Sequence, residues 1–272
     1  MKEITVKEMQ SLELEMMSFI HHFCMMYGIR YYLIGGTLLG AIRHKSFIPW
    51  DDDIDITMPR DDYEKFISLF CSESTGNYAV INIDTNDSVV HAFTKIIDTR
   101  TIVIEKGGNS VQSGVWIDIF PMDKMSDNFE NAKKLFNDVY FYRKVLGAKL
   151  SPVHFSKSVS VTLKHIILKL AYLMCSTKWI VKRINQTAKR YFNLKSSKYI
   201  CMVVMGTYGV KEILESESFS NYSLVDFEGY KFCAPCGYHE VLTHLYGDYM
   251  QLPPIEKRVS HHNFNAYWKE KI

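Results

Sequence analysis

Asp51-Asp52-Asp53-Ile54-Asp55-Ile56-Thr57-Met58 places four acids within five positions and then alternates polar with apolar side chains. Alternation at period two marks a half-buried strand, whose side chains leave by opposite faces. Read from Asp53 to Met58, the strand sends Asp53 and Asp55 to one face and Ile54, Ile56 and Met58 to the other, into a core. Asp51 shares the phase of Asp53 and Asp55 if the strand starts early, and Asp52 faces away. Two like charges one pleat apart repel each other unless a cation lies between them. A hard divalent ion, magnesium or manganese, takes oxygen ligands of this kind. For residues 51–53 taken alone, a solvated loop is the competing reading.

Upstream, Gly35-Gly36-Thr37 separates a short strand-like run, Tyr31 to Ile34, from a short helix expected over Leu38 to Arg43. Glycines at such a junction let backbone N–H groups approach a phosphate, and the helix N-terminus adds a favourable partial charge. Alone, a double glycine reads as a turn; its place just ahead of Asp53 and Asp55 gives it weight. Downstream, Asp118 is a lone acid in the apolar, strand-like run Val115-Trp116-Ile117-Asp118-Ile119-Phe120. An unpaired charge there is costly to bury, so a partner is expected, and a metal shared with Asp53 and Asp55 would serve. Asp53, Asp55 and Asp118 are therefore the candidate catalytic residues and metal ligands, with Asp51 a further candidate ligand.

Positive side chains should meet the phosphates of a substrate. Arg43, His44 and Lys45 follow the glycine turn, and Lys95 and Arg258 are further candidates; for each, a solvated surface charge is the alternative. Trp50 adjoins the acids and could stack on a base or pack in the core. Gly35, Gly36 and Thr37 complete the candidate phosphate-binding set.

The rest of the chain supplies a framework. Met9, Leu12, Met16, Phe19, Ile20 and Phe23 recur at helical spacing, and Gly28 offers a stop. Pro59 suits the first turn of a helix striped by Tyr63, Phe66, Ile67 and Phe70. Further strand-like runs cover Tyr78 to Ile83, Val90 to Ile97, Thr101 to Ile104 and Val115 to Ile119, and Gly107-Gly108 reads as a loop tip. Helical patterns dominate from about Phe129 to Phe192. These features predict a mixed α/β (α+β) fold: a catalytic core over residues 1–125, then a mainly helical part over 126–272, sharing one core or split by a soft boundary. A length of 272 residues at 47% hydrophobic permits either.

A net charge of +2 gives no strong global field for nucleic acid. Six scattered cysteines and no apolar leader suggest a reducing, cytoplasmic setting. Val159 to Val181, interrupted by Lys164, His165 and Lys169, reads as a basic amphipathic helix, buried or resting on a membrane surface, rather than a span.

A glycine pair with Thr, then Asp-x-Asp, then a third Asp on a later strand resembles the nucleotidyltransferase superfamily. The stretch GGTLLGAIRHKSFIPWDDDIDITMPRDDYEKF (35–66), with GVWIDIFPMD and YGDYMQLPPIEKR, looks more specifically like the LicD family. These blocks run from residue 35 to 258. The resemblance implies a nucleotidyltransferase-like core that takes a CDP-activated alcohol, most often CDP-choline. Such an enzyme moves the phospho-alcohol onto a sugar hydroxyl of a bacterial surface glycan and releases CMP. It implies a lipid-linked glycan acceptor at the inner membrane face, metal ligands Asp53, Asp55 and Asp118, and phosphates near Gly36 and Thr37. Asp118 is also expected to take the proton of the attacking hydroxyl. The alternatives are CDP-ribitol or CDP-glycerol as donor, a true nucleotidyltransferase acting on a small molecule, protein or RNA, or a metal-free binding module.

Overall fold

After a two-residue strand, β1 (Glu3–Ile4), helix α1 (Val6–Tyr27) starts at a capping box. The Thr5 side chain accepts the Glu8 N–H, and the Glu8 carboxylate accepts the Thr5 N–H at 2.9 Å. The helix ends where expected, at Gly28, whose φ of 60° suits a residue without Cβ. A computed structural model of the chain describes residues 1–73, 75–105, 114–151, 159–259 and 264–270. Gly107-Gly108 lies outside them.

Chain order continues with β2 (Tyr32–Leu33), α2 (Gly35–Arg43), β3 (Asp55–Pro59), α3 (Arg60–Ser72), β4 (Tyr78–Ile81), β5 (Thr94–Asp98), β6 (Thr101–Glu105) and β7 (Trp116–Lys124). The main sheet runs β2-β3-β7-β5-β4, with β3 and β7 parallel and the other pairs antiparallel. Helix α1 packs over one side of this sheet, with Met16, Met17 and Ile20 fully buried. The strand read from Asp53 begins two residues later, at Asp55, and Val90 to Phe93 lie outside any strand. Pro59 closes β3 and caps α3 instead of entering its first turn.

Beyond residue 125 come α4 (Phe129–Leu150), α5 (Val159–Ala171) and α6 (Thr177–Ala188), followed by β8 (Tyr199–Cys201) and β9 (Ile213–Glu215). Then follow the hairpin β10 (Tyr222–Phe227) and β11 (Tyr230–Pro235), α7 (Tyr238–Tyr246) and β12 (Phe264–Trp268). The expectation of one amphipathic helix over 159–181 is corrected: Ser176 caps a new helix by accepting the Trp179 N–H. The mainly helical reading of 126–272 holds only to about residue 190, after which five short strands appear.

Two of those strands bind the parts together. β8 pairs with the far end of β7, Asp123 opposite Cys201, so the sheet itself crosses residue 125. β12 lies between β1 and β6, which joins the two ends of the chain in a separate three-stranded sheet. One hydrophobic cluster holds Ile20 and Ile56 together with Val139, Ile184 and Phe232, so described residues on both sides of 125 share a core. Among the described residues no helix is long and apolar enough to cross a membrane.

Candidate active site

β3 and β7 place Asp55 opposite Asp118 in parallel register, so both carboxylates leave the sheet by the same face. The backbone locks this arrangement. Asp118 N–H donates to the Ile54 carbonyl at 3.1 Å, and Asp55 N–H donates to Thr37 Oγ1 at 2.8 Å. The partner that Asp118 requires comes from β5. Lys95, opposite Asp118 in that register, donates Nζ to Oδ1 at 2.6 Å, and Trp116 Nε1 donates to Oδ2 at 3.2 Å. Lys95 also lies 4.2 Å from the centre of the Trp116 ring, an electrostatic contact with the ring face.

The glycine turn reaches the same acids. Gly35 and Gly36 form the first turn of α2 rather than preceding it. Gly35 has φ +56°, a region L-residues avoid, and a Cβ there would stand 3.3 Å from Asp55 Oδ2. A Cβ on Gly36 would run into the Asp51 carboxylate. The N-terminus of α2, positive by its dipole, thus faces the oxygens of Asp51 and Asp55.

Asp53, Asp55 and Asp118 line one pocket of about 560 Å³, together with His91, Tyr140, Arg143 and Lys144. Burial, then the charges of Asp53 and Asp118, raises the Asp55 carboxyl well above the usual range. Glu13 of α1, 3% exposed, is raised well above its usual value by burial, then by Asp53 and Asp52. Its Oε2 has no hydrogen-bond partner among the described residues. Asp55 and Glu13, oxygen donors short of compensation, match the chemistry of a hard divalent cation. As the side chains stand, no three His, Cys, Asp or Glu among the described residues are placed to hold a metal ion. The Lys95 ammonium takes the Asp118 oxygen that a cation would need, so metal binding would require Asp118 to turn from Lys95.

Four residues of this neighbourhood escape a reading of the sequence. Glu13 sits in the apolar stripe between Met9 and Met17, and that position was its available signal. His91 donates Nδ1–H to the Phe93 carbonyl at 2.9 Å, which leaves Nε2 as an acceptor. Burial, then Lys95, lowers its pKa to about 4, so the ring is neutral near pH 7. Arg143 and Lys144 arrive from α4, far away in sequence. The Arg143 guanidinium lies over Gly206, which has no Cβ to obstruct it, and its buried Nη1 has no hydrogen-bond partner among the described residues.

Other expected phosphate binders sit elsewhere. Arg43, Trp50 and Arg258 line a second cleft with Tyr246, and the Arg258 guanidinium lies 5.6 Å from the Trp50 ring centre. Burial, then Tyr208, raises the Tyr246 hydroxyl well above its usual value, and the Asp55 charge adds to this, so the two clefts lie near each other. Arg43 donates Nη1 to the Tyr249 carbonyl at 2.9 Å and Nε to His44 Nδ1 at 3.3 Å. Lys45, with φ 60°, is a turn residue whose carbonyl accepts the Glu228 N–H.

Residues 28–162 match a family model described as "LicD/FKTN/FKRP, nucleotidyltransferase domain". Nearly the whole chain, 98% of it, aligns with 99% of the lipopolysaccharide cholinephosphotransferase LicD of Haemophilus influenzae at 33% identity. The chain belongs to the LicD family. A shorter match, 62% identical over 29 residues, links this LicD-family chain to the human and mouse ribitol 5-phosphate transferase FKRP, covering 11% of the chain and 6% of each relative.

Proposed function

We propose that this chain is a metal-dependent transferase that moves phosphocholine from CDP-choline onto a sugar hydroxyl of a bacterial cell-surface glycan and releases CMP. The observation that carries this reading is the meeting of Asp55 and Asp118 at one pocket, with the start of α2 against Asp55. End-to-end likeness to a cholinephosphotransferase supports choline as the alcohol. The local match to FKRP favours CDP-ribitol as the second reading.

Asp53, Asp55 and Asp118 would hold magnesium or manganese, which would neutralise the donor diphosphate and the leaving CMP. The chain's own groups do the rest. The first-turn N–H groups of α2 would bind phosphate oxygens, and Arg143, which lines the pocket of the aspartates, adds positive charge. Lys95, freed from Asp118, adds a third positive contact. Trp50, in the adjoining cleft, offers a face for the cytosine, with Arg43 and Arg258 at its edge.

A sugar hydroxyl must lose its proton as it attacks. Lys95 and Trp116 occupy both oxygens of Asp118, and a metal would take the one that Lys95 gave up, which argues against the expected role of Asp118 as base. His91 lines the pocket and already carries an unprotonated Nε2, so we assign proton acceptance to His91.

Protection against thermal unfolding tests the donor. With magnesium present, CDP-choline, CDP-ribitol, CDP-glycerol and nucleoside triphosphates are compared, and a ligand at 100 times its Kd stabilises by about 2.7 kcal/mol. Protection by CDP-choline that Asp55→Asn abolishes supports the reading. Protection by a triphosphate alone would make the chain a nucleotidyltransferase.

A further inference from the structure

Residues 139–211 contain fourteen Lys and Arg and not one Asp or Glu, so all 30 acidic residues share the rest of the chain with the other 18 basic ones. The modest net charge of +2 therefore hides a strongly segregated field. Among the described residues, four of those bases are neutralised from outside, in the pairs Lys178–Asp87, Lys182–Asp84, Lys189–Glu64 and Arg190–Asp138. Lys144, Lys149, Lys164 and Lys169 lie around α5 and the end of α4.

The same region carries an exposed apolar face. Val159, Leu163, Ile167 and Leu170 of α5 are 81%, 54%, 54% and 65% exposed. At i, i+4, i+8 and i+11 they fall within an arc of about 80°. Leu173 and Met174 extend the patch past the end of the helix, exposed as well. Soluble surfaces seldom keep such a contiguous patch without a use. Between α4 and α5 runs an apolar groove lined by Lys144, Gly147, Ala148, Val161, Lys164 and Ile167. Lys144 and Gly147 also line the pocket of the three aspartates, so the groove opens toward that site.

We propose that this face rests on an anionic lipid bilayer, with Leu163, Ile167 and Leu170 at the acyl boundary and the lysines among the headgroups, and that it turns the acid pocket toward an acceptor held in that bilayer. The acceptor part rests on the transferase reading. A helix of 13 residues lies on the surface instead of spanning it. A second copy would bring the same excess of positive charge to the contact, and a polyanion in water has no use for the apolar residues. An anionic bilayer satisfies both.

The test is flotation of the full chain with vesicles of phosphatidylcholine alone or mixed with phosphatidylglycerol. Binding is expected to the mixed vesicles and to fall as salt rises. Leu163→Asp/Ile167→Asp is expected to weaken it at least about tenfold, and Lys164→Ala about fivefold. These side chains are exposed, so both variants keep the wild-type melting temperature. No flotation of the wild type with mixed vesicles would overturn the proposal. So would a wild-type dimer that the double variant makes monomeric. Donor protection measured without lipid keeps the two readings apart: a protein that floats but ignores every CDP-alcohol keeps its bilayer face and loses its transferase assignment.

Discussion

Asp118, which lines the pocket, and Glu13, which feels the charges of the aspartates around it, are both buried acids, and they differ in what compensates them. Lys95 and Trp116 hold Asp118, whereas Glu13 has burial and four neighbouring aspartates against its charge. A carboxyl raised in the folded state favours the protonated form there. Its contribution to stability is intact below its usual pKa of 4.5 and is lost as pH climbs from there toward the raised value. Each unit of raise is worth about 1.4 kcal/mol. Glu13→Gln is therefore expected to flatten the fall of melting temperature above pH 4.5 in metal-free protein. An unchanged profile would remove Glu13 from this account. The roles of the other acids separate kinetically. Asp118→Asn is expected to lose donor protection, and His91→Gln to lower kcat by about 10²-fold or more with donor KM nearly unchanged. Equal effects on kcat and KM in His91→Gln would count against proton acceptance. Asp53, Asp55 and Asp118 were legible because acids stand out in apolar, alternating sequence. Glu13 and His91 were not, because a helix stripe and a strand-like run absorbed them.

At the scale of elements, β7 is the organising strand, and one ion pair fixes its far end. Arg60, at the start of α3, donates Nε and Nη2 to the two oxygens of Asp123, each at 2.7 Å, with both side chains almost fully buried. Replacing Asp123 by Ala strands a buried guanidinium and is expected to cost about 3–5 kcal/mol. A melting temperature within a degree or two of wild type would contradict that. The start of α2 makes a similar demand on backbone shape. Gly35→Ala should cost about 1–2 kcal/mol through its left-handed φ and also weaken donor binding, because its Cβ faces Asp55. Helices with clear stripes and caps, α1 above all, could be read directly. The hairpin of β10 and β11 could not: its turn is Glu228-Gly229, with φ 52° and 80°, and a non-glycine residue at positive φ carries no sequence signal as clear as Asn-Gly. The break between α5 and α6 escaped for a related reason, since apolar periodicity runs through Ser176 while the cap itself is local.

Across the whole molecule, the charge field and the sheet point the same way. The acids that could hold metal sit at the edge of the basic region, where α4 brings Arg143 and Lys144 over the sheet. That convergence depends on contacts between residues far apart in sequence, and composition alone, with its near-zero net charge, masks it. The mixed α/β class follows from strand runs that a period-two reading locates. The return of the chain after residue 190 to extend β7 does not, because β8 and β9 are three residues each. Under the proposed function Asp55, at the junction of β3, β7 and α2, serves transfer from a CDP-alcohol. The most direct measurement is the release of CMP from CDP-choline in the presence of magnesium and a glycan acceptor, wild type beside Asp55→Asn. Wild-type protein is expected to release CMP in an acceptor-dependent manner, and the variant at a rate at least about 10²-fold lower. CMP release at the wild-type rate by Asp55→Asn would contradict that role.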